Sequence, residues 1–75
     1  MATVSERISY LMEENHYSLE ELCMRAGLRE EHLVAILAHK QELSHQDAVD
    51  LSRFLGADAS YLERSEKAYY LAYRP

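Results

Sequence analysis

Residues Ser18 to Lys40, SLEELCMRAGLREEHLVAILAHK, read as two short helices joined by a tight turn at Gly27. Leu19, Leu22, Cys23 and Ala26 recur at helical spacing in the first segment, and Leu33, Ile36 and Leu37 in the second, so each segment has one face to bury. Glycine at position 27 can end a helix in the left-handed backbone without a β-carbon clash, and Leu28 then drops into the angle between the two helices. The stretch 18–37 is therefore a helix-turn-helix, an arrangement often used to aim its second helix into a DNA major groove.

Working outward, Thr3 and Glu6 form a capping box that opens a helix at Val4. It runs to about Asn15, burying Val4, Ile8, Leu11 and Met12, and leaves through Asn15 and His16. Ser18 with Glu21 gives a second capping box, and Ser44 with Asp47 gives a related one ahead of Ala48, Leu51, Phe54 and Leu55. That fourth helix ends at Gly56. Asp58 can cap a fifth, over about 58–73, which carries Tyr61, Leu62, Tyr69, Tyr70, Leu71 and Tyr73, with Leu62 and Leu71 expected to anchor it. Five helices with short connections leave no room for a sheet. The third helix lacks a good start, because Arg29 stands where a Ser, Thr, Asp or Asn cap would add about 1 kcal/mol. Glu30 and Glu31 offset part of that by placing negative charge at its amino end.

The totals bound the rest. Seventy-five residues are expected to make one domain, 1–75, and a chain of that length buries only about 60% of its unfolded surface. Apolar residues at 48%, two glycines and one proline, Pro75, exclude a disordered chain and fit an all-helical one. The single cysteine, Cys23, cannot form an internal disulfide and reads as a small core residue in a reducing compartment. With no secretory segment and no apolar run of spanning length, the expected location is cytoplasmic, with no membrane partner. Eight Lys and Arg against thirteen Asp and Glu give a net charge of −5, which is adverse for non-specific DNA affinity unless the cations gather on one face.

The run S-L-E-E-L-C-x-x-A-G-L at Ser18 to Leu28, the Leu33 and Ile36 pair, Leu43-Ser44, and L-S-x-F-L-G-A-D-x-x-Y-L from Leu51 to Leu62 resemble the Cro/repressor, or Xre-type, helix-turn-helix family. The resemblance extends from about Ile8 to Leu62 and implies a compact, lambda-repressor-like five-helix fold. It further implies that Ser18 and Leu19 fall at a phosphate-holding helix start. By the same resemblance Arg29, Glu30, Glu31, His32, Val34 and Ala35 fall on the base-reading surface, and Lys40 meets the DNA backbone. Four positions depart from the family pattern. Leu19 replaces a frequent glutamine, Val34 and Ala35 stand where Ser and Arg are frequent, and Leu37 stands where a glutamate commonly follows the core isoleucine.

Other residue groups read as structural. His16, His32, His39 and His45 include no i, i+4 pair, so no metal site is expected and solvated histidines near helix ends are. A buried Cys23, the lack of a glycine-rich loop and carboxylates placed as caps leave no catalytic constellation, and no cofactor is implied. Tyr61, Tyr69, Tyr70 and Tyr73 give the fifth helix more aromatic surface than its own packing needs, which points to a dimer interface.

The sequence thus leads to an all-α domain acting as a small transcriptional regulator that binds operator DNA as a homodimer. Helix three would enter the major groove, the amino ends of helices two and four would offer N–H groups to phosphates, and Arg25, Arg29 and Lys40 would supply positive charge. The alternative is a repressor-like fold used as a protein-interaction module, taking a protein partner on Val34, Ala35, Ala38 and the acidic tip of helix three. The two readings differ in one feature. Cations converging from Arg25, Arg29, Lys40 and Arg53 favour DNA, and an acidic apolar face favours protein.

Overall fold

In the computed structural model, which describes residues 3–73, the chain forms five α-helices: α1 (Val4–Glu14), α2 (Leu19–Ala26), α3 (Glu30–Leu37), α4 (His45–Leu55) and α5 (Ala59–Tyr73). There is no strand among the described residues. The Cα radius of gyration is 11.3 Å, which matches the value of about 11 Å expected for a compact chain of this length.

Local chemistry explains each boundary. At α1, the Thr3 hydroxyl accepts the Glu6 amide while the Glu6 carboxylate accepts the Thr3 amide, so two orphan donors are satisfied reciprocally. Ser44 and Asp47 do the same at α4. At α2 the Ser18 hydroxyl accepts the Glu21 amide at 3.1 Å, but the expected return bond is replaced: the Glu21 carboxylate turns to Arg25, 3.6 Å away and one turn on. Arg29 caps α3 in backbone only, with no side-chain hydrogen bond. The α5 start uses the Asp58 carbonyl, which accepts the Tyr61 and Leu62 amides.

Two helices end on left-handed glycines, Gly27 with φ 73° and Gly56 with φ 71°. The Gly27 and Leu28 amides both return to the Cys23 carbonyl, closing α2 and turning the chain into α3. His16 and His39 end α1 and α3 in the same backbone region, each with φ 59°, a conformation that histidine adopts more readily than most residues with a Cβ.

One apolar cluster holds the helices together: Val4, Ile8, Leu22, Cys23, Leu33, Ile36, Leu43, Ala48, Leu51, Leu55 and Leu62. Every helix contributes, and Leu11, Met12, Leu28, Leu37 and Phe54 close over it. Leu62 is the only apolar residue of α5 within it. Leu71 does not anchor the helix as expected, since it is 78% exposed. The helix runs 15 residues, about 22 Å at 1.5 Å per residue, and its last turn extends past the surface it packs on. Burial raises the Cys23 thiol above its ordinary pKa, with the Glu30 charge adding to the effect, and the side chain packs within the core.

Candidate nucleic-acid interface

Residues expected to meet DNA fall on α2, α3 and the loop after α3. Ser18 is exposed, and because its oxygen already accepts the Glu21 amide, its hydroxyl hydrogen remains to be offered outward. Leu19 beside it packs against the core and offers no polar group. On α3, Leu33 and Ile36 point inward, while Arg29, Glu30, Glu31 and Val34 are exposed and Ala35 is half-buried. The carbonyl of Ala35 accepts the amides of Lys40 and Gln41, at 2.8 and 3.3 Å, so the end of α3 fixes the start of the loop. Lys40 is exposed.

Cations are present here but partly committed. The Arg25 guanidinium pairs with Glu21 and lies 5.7 Å from the centroid of the Tyr17 ring. Arg29 lies 3.8 Å from Glu31, with both side chains at least 80% exposed, and a pair that wet holds neither partner firmly. Among the described residues Lys40 makes no ion pair. Arg53 is exposed in the last turn of α4.

His32 differs from its expected role. Instead of reaching outward, its ring bridges two elements, with Nε2 2.9 Å from Asp47 Oδ1 and Nδ1 3.1 Å from Gln41 Oε1. Burial would raise the Asp47 carboxyl, but hydrogen bonds from Ser44 and His32 outweigh it and hold the pKa below the usual carboxylate range. Gln41 and Asp47 escaped the sequence reading as interface residues because both contacts cross from one element to another. Only the capping role of Asp47 left a local signal.

Beside this bridge lies an open groove of about 540 Å³ between the α2–α3 turn and α4. Glu31, Asp47 and Asp50 line it against the single arginine Arg29, so its lining is net acidic whether or not His32 is charged. A phosphate would be repelled from its floor, whereas a cationic group would be attracted.

Two of the other histidines, His39 and His45, are also engaged and not simply solvated, while His16 is exposed. His45 Nδ1 lies 2.9 Å from Glu63 Oε1 on α5, and His39 stacks on Tyr69 with ring centroids 3.8 Å apart. No group of three or more metal-ligating side chains occurs among the described residues.

The tyrosines proposed for a dimer interface divide into two sets. Tyr61 packs against the core and meets the Arg7 guanidinium, and Tyr69 is covered by His39. Tyr70 meets Tyr69 edge-on and Tyr73 lies tilted against it, at 5.2 and 5.0 Å. The outermost apolar surface of α5 is Leu71 with Tyr73, the latter 63% exposed.

Comparison with protein-family models, curated proteins and solved structures finds no match for this chain. No described helix is long and apolar enough to cross a membrane.

Proposed function

We propose that this chain is a small helix-turn-helix transcriptional regulator that binds operator DNA through α3, acts as a homodimer and works in the cytoplasm. The observation that carries the reading is the outward face of α3, with exposed Arg29 at its amino end, Val34 in the middle and exposed Lys40 just past its carboxyl end. At eight residues α3 is about 12 Å long, within the dimensions of a major groove. Arg29 and Lys40 would contact phosphates or guanine edges, Val34 would meet a thymine methyl, and the Ser18 hydroxyl with the first amides of α2 would hold a backbone phosphate. Glu30 and Glu31 penalise every site except one that offers them cytosine amino groups. Binding would therefore depend on sequence more than on bulk charge. Leu71 and Tyr73 at the end of α5 would form the pairing surface that two half-sites require.

A second reading has its own support. The net acidic groove beside α3, together with exposed Val34 and Ala38, suits a basic, apolar segment of a protein partner better than a polyanion.

Selection of bound sequences from a random duplex pool at low salt distinguishes the two. The DNA reading expects a recurrent motif, repeated with two-fold symmetry about one helical turn apart. A bound pool no different from the input would overturn it.

A further inference from the structure

The Ser5 hydroxyl has a single hydrogen, and it donates it to the Leu37 carbonyl at 2.7 Å. The 3.2 Å contact between Ser5 Oγ and His39 Nε2 must then be an N–H donating to oxygen. In the neutral ring this leaves Nδ1 a bare acceptor, and that atom is buried without a hydrogen-bond partner among the described residues. A second such acceptor, on Glu66, lies within electrostatic reach of His39. Glu66, only 5% exposed, uses Oε2 to accept the Leu43 amide, while its Oε1 is buried and unpartnered. His39 and Leu43 belong to the same loop, residues 38–44. The His39 ring stacks on Tyr69, which follows Glu66 by three residues and so lies on the same face of α5.

We infer that His39 and Glu66 together form a buried proton-binding site that sets how tightly the loop 38–44 is held against α5. Without a proton, a desolvated carboxylate and a bare ring nitrogen share one region with no donor for either. One added proton removes that conflict. On Nδ1 it makes an imidazolium opposite a carboxylate, and on Oε1 it makes a neutral acid beside a neutral ring.

The surrounding charges act in both directions. Glu42 in the loop adds repulsion to a Glu66 carboxylate. Glu63 on α5 is engaged by His45 of α4, and Lys67 lines the same groove as Glu66. α1 presents the uncharged Ser5 hydroxyl and α3 the Leu37 carbonyl. Burial raises the Glu66 pKa above its ordinary range, against the lowering effects of the Leu43 amide and the His39 charge. The folded chain therefore holds this proton more tightly than the unfolded chain. The stability it contributes is complete below the ordinary glutamate range and is lost as pH rises through the folded value. Lys40 lies in the same loop, so under the proposed function the proton would also adjust a DNA contact, but the inference rests on the fold alone.

The test is a carbon-13 NMR titration of the Glu66 carboxyl in the full chain, in the wild type and in His39→Asn, since asparagine tolerates the left-handed backbone at position 39. In the wild type, Glu66 should titrate above the ordinary range, with the His39 ring and the Leu43 amide shifting in the same step. In His39→Asn its inflection should rise by about one pH unit, a tenfold gain in proton affinity, because a neighbouring cation has gone. Titration in the ordinary range that leaves His39 and Leu43 unmoved, or an inflection unchanged in the variant, would overturn the inference. If the variant does not fold, the wild-type co-titration decides alone. DNA binding has no part in either readout.

Discussion

His32 Nε2 lies 2.9 Å from Asp47 Oδ1, and the other oxygen of the same carboxylate accepts the Ser44 amide at 3.0 Å. One side chain thus caps α4 and ties α3 to it. An ionised carboxylate only accepts, so Nε2 must carry a hydrogen. Asp47→Asn should weaken both contacts and cost about 2 kcal/mol in urea denaturation at neutral pH. The sign of the pH dependence follows from the lowered pKa. Asp47 contributes stability above the unfolded carboxylate range and loses it as pH falls through the folded value. The variant should therefore show a flatter acid limb than the wild type. Equal acid limbs would mean that Asp47 holds nothing in place.

Under the DNA reading, Arg29 makes stability and binding pull in opposite directions. Its backbone, φ −76° and ψ 141°, already has the extended geometry of a helix cap, but its side chain makes no capping bond. Arg29→Ser should add about 1 kcal/mol of stability while weakening DNA binding through the lost cation. Thermal denaturation alongside a binding isotherm checks both directions. A variant that gains stability and binds as well as the wild type would remove Arg29 from the interface.

Leu71 offers a clean probe of pairing because it is 78% exposed and its replacement leaves the core untouched. Leu71→Glu should convert a sedimenting dimer into a monomer with unchanged helical content. A wild-type chain that already sediments as a monomer across the range of the binding assay would exclude α5 as a standing dimer interface.

The division between what the sequence conveyed and what it withheld follows the range of the interactions. Caps at Thr3, Ser18 and Ser44, the missing side-chain cap at Arg29 and the left-handed turns at Gly27 and Gly56 depend on residues within one or two turns, so spacing alone reveals them. Apart from Leu43, which lies in the loop before α4, the buried set from Val4 to Leu62 follows from helical periodicity. Periodicity failed at Leu71 because it reports which face a residue takes, not how far the neighbouring surface extends. It also gave no hint that His39 meets Ser5, 34 positions away, or that Glu66 reaches the Leu43 amide, 23 positions away. At the candidate interface, residue identities were legible, but the commitment of His32 to Asp47 and the acidity of the adjoining groove emerged only when α3 and α4 were brought together.

The most direct test of the DNA reading is a salt titration of binding to duplex DNA, with the wild type and Lys40→Glu measured side by side. If α3 and its following loop face phosphates, wild-type affinity should fall linearly with log salt, and the substitution should weaken binding to all sequences and reduce the slope by about one. If neither protein binds duplex DNA at low salt, the account of α3 as a DNA-reading helix is contradicted, and its acidic, apolar surroundings become the face of a protein partner.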